Sequence, residues 1–189
     1  MTTHRLAIPS VLYGLTALLP LLSAPAARAE GEATPLIDRV RHATARYLDV
    51  NVATADGFVP ATPCVSGPDT GAMGVHFVLP ARITGGVLNA EQPEALIYEP
   101  TSNGAMRLVG VEFILLESVW AAKNPGGGVP ALDGNLLNYI AAPNRYGLPA
   151  FYEIHVWAWQ DNPQGTFADW NTRVTCAAQA VSPATAAQH

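Results

Sequence analysis

Proline placement is the tightest constraint on this chain. Pro60, Pro63, Pro68, Pro80, Pro93, Pro100, Pro130, Pro143, Pro149 and Pro163 recur at short intervals. Without an N–H to donate, none of them can occupy the interior of a central strand. Between them lie Gly74–Leu79, Ala95–Glu99, Arg107–Leu116 and Ala150–Trp159, rich in β-branched and aromatic residues. Such runs read as strands. Asn103-Gly104, between the second and third runs, is a hairpin signal.

Helical periodicity is clearest near the start. Leu36, Ile37, Val40, Ala43, Tyr47, Leu48 and Val50 form an apolar stripe against Asp38, Arg39, Arg41, Arg46 and Asp49. Thr34 before Pro35 is an N-cap signal, and the pattern predicts a helix from Pro35 to about Ala55, ended by Asp56-Gly57. Its expected place is over one face of the sheet. A shorter helix is expected at Glu117–Lys123, stopped by Asn124-Pro125 and Gly126–Gly128. The predicted class is α+β: an antiparallel β-sheet, open or barrel-like, with an N-terminal covering helix and one disulfide.

Residues 1–29 have the order of a secretory signal peptide: His4 and Arg5, the apolar run Leu6–Leu22, then Ser23–Ala29. Ala27 and Ala29 match an A-x-A cleavage site, which would leave Glu30 first. An uncleaved anchor is the competing reading, but Pro9, Gly14 and Pro20 interrupt the run, and a spanning helix needs about twenty apolar residues. A single domain over 30–176 and an Ala-, Gln- and Ser-rich disordered tail over 177–189 are expected. The destination implied is periplasmic or extracellular.

Export makes Cys64 and Cys176, the only two cysteines, an expected disulfide. No C-x-x-C spacing supports a redox or zinc site. Fifteen acids face ten Lys plus Arg, two of which, Arg5 and Arg28, fall in the signal segment. A negative chain with no basic run argues against nucleic acid or an anionic membrane as partner and suits cations. No later apolar run is long enough for a membrane span. The oligomeric state is not encoded in any pattern we recognise.

His76 and His155 both sit within strand patterns, Gly74-Val75-His76-Phe77-Val78 and Glu153-Ile154-His155-Val156-Trp157. Residues two apart share a face, so Phe151, Glu153, His155, Trp157 and Trp159 are expected together. By the same alternation Leu108, Gly110, Glu112, Ile114 and Leu116 form one face of the third run, opposite Val109, Val111, Phe113 and Leu115. Both faces are apolar except at Glu112, and a buried carboxylate is costly unless paired or bound to a cation. Two imidazoles with one or two carboxylates suit a divalent transition metal such as Zn, Mn, Fe or Cu.

The expected metal ligands are therefore His76, Glu112 and His155, with Glu153 beside them. Four protein ligands would close the site, whereas three would leave a position for water or substrate. No H-E-x-x-H is present, and Glu112 has an alternative role as ion-pair partner of Arg107, Arg145 or Arg173. Glu99 and Arg145 are candidate ligand-binding residues, with Trp157 as a planar surface for stacking. His42 falls on a solvated helix face. No G-x-S-x-G elbow appears, and no catalytic residue is assigned. Asp161–Asn171 reads as a structured turn that can wall the site, and Pro143–Pro149 as a lid or rigid connector. Three functions fit: an exported metal-binding protein, a non-catalytic small-ligand module using the Trp157/Trp159 strand, or a structural envelope protein.

Gly71-Ala72-Met73-Gly74-Val75-His76, Ala95–Pro100, Leu108–Glu112, His155-Val156-Trp157 and the stretch from Asn162-Pro163 to Cys176 resemble an uncharacterised family of secreted bacterial proteins. That resemblance spans most of the mature chain and implies no particular activity. The histidine and strand content also invites comparison with cupins. The cupin pair of histidines one residue apart, followed by glutamate, is absent around His76, so no cupin function is carried over.

Overall fold

The apolar stripe at the start of the domain does become helix, but in two pieces. Helix α1 spans Leu36–Thr44, a 3-10 turn covers Ala45–Leu48, and α2 spans Val50–Ala55. Leu36, Val40, Thr44 and Tyr47 are buried at helical spacing, whereas Leu48 is 52% exposed. The break has a definable cause. A continuous helix would bond the Tyr47 carbonyl to the Asn51 N–H. Instead the Tyr98 hydroxyl donates to the Tyr47 carbonyl at 2.7 Å, and the Asp49 carboxylate accepts the Asn51 N–H at 2.9 Å. Asp49 thereby caps α2 from an extended conformation.

The computed structural model describes Met1, residues 35–67 and residues 69–179. The signal segment, its cleavage site, the Thr34 cap and residues 180–189 of the expected tail lie outside the described residues. Ala177–Gln179 do not behave as tail. Gln179 closes a turn onto the Cys176 carbonyl, and its side chain accepts the Cys64 N–H at 2.7 Å.

In chain order the remaining elements are β1 (Val59–Pro60), β2 (Val65–Gly67), β3 (Gly71–Val78), α3 (Pro80–Gly85), β4 (Ala95–Pro100), β5 (Met106–Leu116), α4 (Glu117–Lys123), β6 (Ala131–Leu132), β7 (Asn135–Leu136), β8 (Asn138–Ile140) and β9 (Phe151–Val156). The main sheet has the order β1-β3-β4-β5-β9-β8, with β2 also on β3, and every pairing is antiparallel. β6 and β7 form a separate two-stranded hairpin. The class is α+β as expected, and of the two forms the sheet could take it is the open one. Its order runs from β1 to β8 and does not close into a barrel.

The four predicted strands are the four central ones, and α4 occupies the predicted residues. Pro60 stands in β1, two residues at the end of the strand order where a missing N–H is tolerated. The last strand ends at Val156, short of the predicted Trp159. Trp157 N–H turns to the Thr166 carbonyl and Trp159 N–H to the Val109 carbonyl.

A bulge changes the predicted face assignment of β5. Ile97 pairs with Gly110 and Tyr98 with Leu108, so Val109 has no partner on β4. Leu108 therefore joins Val111, Phe113 and Leu115 in the large core, with Val40, Tyr47 and Ala53 of the helical segment. Val109 packs instead with Ala72, Ile97, Trp157 and Val174. The opposite face keeps Gly110, Glu112 and Ile114, and this is where the polar residues gather.

Cys64 and Cys176 form the expected disulfide across a separation of 112 residues. Beside it, Ala72 and Asn171 exchange backbone hydrogen bonds at 3.2 and 3.1 Å. Gly71 sits at φ +83°, and a Cβ there would fall 2.1 Å from the Asn171 carbonyl oxygen. Only glycine permits that approach. Among the described residues no helix is long and apolar enough to cross a membrane.

Candidate metal centre

Strand register assembles the site. Val78, Ala95, Glu112 and His155 form one row across β3, β4, β5 and β9. His76 lies two residues from Val78, on the same face. Glu112 and His155 are thus direct cross-strand neighbours. Ala95 keeps the space between β3 and β5 free of a large side chain, allowing His76 to reach across it.

The His76 Nε2 lies 3.5 Å from the His155 Nε2 and 3.5 Å from a Glu112 carboxylate oxygen. His76 is 2% exposed, Glu112 4% and His155 1%. One donor atom from each of the three residues falls within 4.8 Å of the other two. This buried His/His/Glu group can hold a metal ion. Donors at ~2.0–2.2 Å from a tetrahedral centre stand about 3.3–3.6 Å apart along an edge; both His76 contacts match that spacing, while Glu112 and His155 are farther apart, within 4.8 Å.

Each imidazole is also held from behind. His155 Nδ1 lies 3.0 Å from a Glu153 carboxylate oxygen and 3.8 Å from Asp169. Asn138 donates to the other Glu153 oxygen at 3.1 Å and to Asp169 at 3.3 Å. His76 Nδ1 lies 3.3 Å from the Thr62 hydroxyl. Partners on Nδ1 that fix ring orientation are what ligating histidines carry. Glu153, expected beside the ligands, faces Nδ1 of His155 and belongs with Asp169 to a second group sharing that imidazole.

The protonation pattern follows from this arrangement. A carboxylate can only accept, so the Glu153 contact places a proton on His155 Nδ1. If His155 is then neutral, its Nε2 lone pair confronts His76 Nε2 across 3.5 Å. A proton or a cation between the two relieves that clash. Burial works against charge on His155, but Glu112, Glu153 and Asp169 outweigh it and raise its pKa to about 9. Burial and the charge on His155 together push His76 down to about 3. Burial pushes Glu112 up, opposed by His155. Metal-free, the cluster holds protons where a cation would sit.

The other sequence candidates lie elsewhere. Glu99 accepts from Arg107 Nε at 3.0 Å and from Thr175 N–H at 2.9 Å, away from the histidines along β4. Arg145 lies over the Trp170 ring, 5.8 Å from its centroid. Arg173 faces Asp161, and Arg107 pairs with Glu99, so among the described residues Glu112 has no arginine partner. Trp157 does reach the site. It stacks on His155 at 6.1 Å between centroids and donates to the Ala168 carbonyl. Trp159 points to the opposite core and donates to Thr44, so the expected shared tryptophan face does not form. His42 is exposed, as expected.

Thr62, Asn138 and Tyr146 contribute without having been singled out. Tyr146 meets the His76 ring edge-on at 6.3 Å, and its only sequence signal was membership of the Pro143–Pro149 connector. The class defined by fold and site is therefore an open antiparallel α+β sheet with a buried two-histidine, one-glutamate cluster. No protein-family model matches the chain, and neither the curated proteins nor the solved structures contain a significant match to it.

Proposed function

We propose that this is an exported metal-binding protein holding one divalent transition ion between His76 Nε2, His155 Nε2 and Glu112. The observation that carries the reading is the facing pair of Nε2 atoms at 3.5 Å, each ring anchored through Nδ1. Zn, Mn, Fe and Cu all accept such an N₂O set. Three protein ligands leave one position open. The disulfide and the signal-like N-terminus support a periplasmic or extracellular location.

A small-ligand module built on Trp157 and Trp159 is less well supported, because these two rings serve different cores. Elemental analysis of protein purified from the periplasm tests the proposal. Near-stoichiometric transition metal is expected, lost in His76→Ala and in His155→Ala. Metal-free protein that takes up no zinc on dialysis would overturn it.

A further inference from the structure

The second ring nitrogen of His155 has a donor group of its own. Glu153 and Asp169 face Nδ1, and the three residues bring one nitrogen and two carboxylate oxygens within 4.8 Å of one another. Asp169 is held there by its chain neighbours. Trp157 Nε1 donates to the Ala168 carbonyl at 2.6 Å, and the Asn162 amide donates to the Trp170 carbonyl at 2.8 Å. Glu153 and His155 are buried, whereas the Asp169 side chain is 37% exposed, so the group is open to solvent at one end.

Orienting the imidazole requires only one of the two acids. Nδ1 carries a single proton, which serves Glu153 at 3.0 Å. Asp169 stands 3.8 Å from Nδ1, beyond hydrogen-bonding distance. It therefore sets a second carboxylate beside a buried one, and like charges at such range repel. The Asn138 amide donates to both acids, at 3.1 and 3.3 Å. Among the described residues no lysine or arginine pairs with Glu112, Glu153 or Asp169, whose ion-pair partners are the two histidines. Glu94, whose charge also reaches Glu112, is tied to the Ile114 N–H and belongs to neither group. With one divalent ion and two neutral imidazoles, the three carboxylates leave one negative charge in excess. A second divalent ion in place of the Nδ1 proton brings the two groups together to neutrality.

The geometry points to a second cation site on His155 Nδ1, completed by Glu153 and Asp169, whose divalent transition ion shares the imidazole with the ion on Nε2. Its histidine and carboxylate donors suit the same ions as the first site. The ion enters from the Asp169 side, and the Nδ1 proton leaves to water. A half-turn of the Asn138 amide presents its oxygen as a fourth donor. Because a proton must be displaced, this site fills after the first. The shared imidazole rests on the metal-binding reading above.

Equilibrium dialysis against zinc, with metal counted per chain, is one half of the test. Two equivalents are expected, the second held more weakly, and Asp169→Ala should keep the first and lose the second. Asp169→Asn, which should weaken the second at least tenfold, serves if Asp169→Ala fails to fold. Copper(II) supplies the other half. One equivalent should give a full electron paramagnetic resonance signal, and the second should remove it, because two copper ions sharing an imidazolate couple antiferromagnetically. In Asp169→Ala the signal should persist. A single equivalent in the unmutated protein, a second equivalent retained by Asp169→Ala, or two uncoupled copper signals would overturn the shared-imidazole site and leave the first site standing. Failure to bind any ion would overturn both.

Discussion

His155 is the residue on which the site turns. One nitrogen faces Glu153 and the other faces His76, so its charge decides whether the cluster repels itself. That fixes a pH dependence for the metal-free protein. His155 has a folded pKa of about 9 against ~6.5 unfolded. Its contribution is fully present below pH 6.5 and is lost as pH rises toward 9. Glu112, also raised, pulls the same way, because burial favours its proton. His76, lowered to about 3, contributes above pH 6.5 and loses that contribution on acidification. Chelator-treated protein should therefore lose stability from pH 6.5 to 8.5, by ~1.4 kcal/mol per pH unit for each proton released. Urea unfolding at the two pH values measures this. A flat or rising profile would contradict the assigned protonation, and His155→Gln should flatten the slope.

Individual elements differ in how openly the sequence announces them. His76, Glu112 and His155 were legible because each interrupts an apolar strand, and period-two alternation gives its face. Glu153 was expected on that face too, but its place behind Nδ1 depends on ring orientation, which alternation does not encode. Thr62 and Asn138 were not legible, since a loop residue and a three-residue strand are placed by their neighbours. The helix break is similar. The apolar stripe continues past Asp49 to Val50, and what stops the helix is a hydroxyl from Tyr98, 51 residues away from Tyr47. Asp49 then restarts it, so Asp49→Ala should cost about 0.5–2 kcal/mol through the lost α2 cap. Denaturant melts will detect that loss, while metal stoichiometry should not change.

For the whole molecule, the four central strands and the hairpin joining the second and third followed from hydrophobic runs and proline punctuation, but the strand order and the openness of the sheet did not. Short elements such as β1, β2 and β8 carry too little pattern to read alone, and they decide where the sheet ends. The Val109 bulge likewise arises from the pairing of β5 with β4, a long-range match invisible within either strand. The disulfide ties the segment before β3 to the end of the described chain. A loop of 112 residues has a chain-entropy ceiling near ~4.7 kcal/mol, with ~2–4 typically delivered. Replacing both cysteines by serine should lower unfolding free energy by that amount in chemical denaturation. Loss of less than about 1 kcal/mol would show that Gln179 and the Ala72–Asn171 bridge hold the ends together unaided.

X-ray absorption at the zinc edge of the loaded protein tests the central claim most directly. Two imidazole nitrogens at ~2.0–2.1 Å with the remaining ligands oxygen, falling to one imidazole in His76→Ala, is the predicted result. A shell of oxygens alone, or one unchanged by removing His76, would contradict convergence of the two rings on one ion.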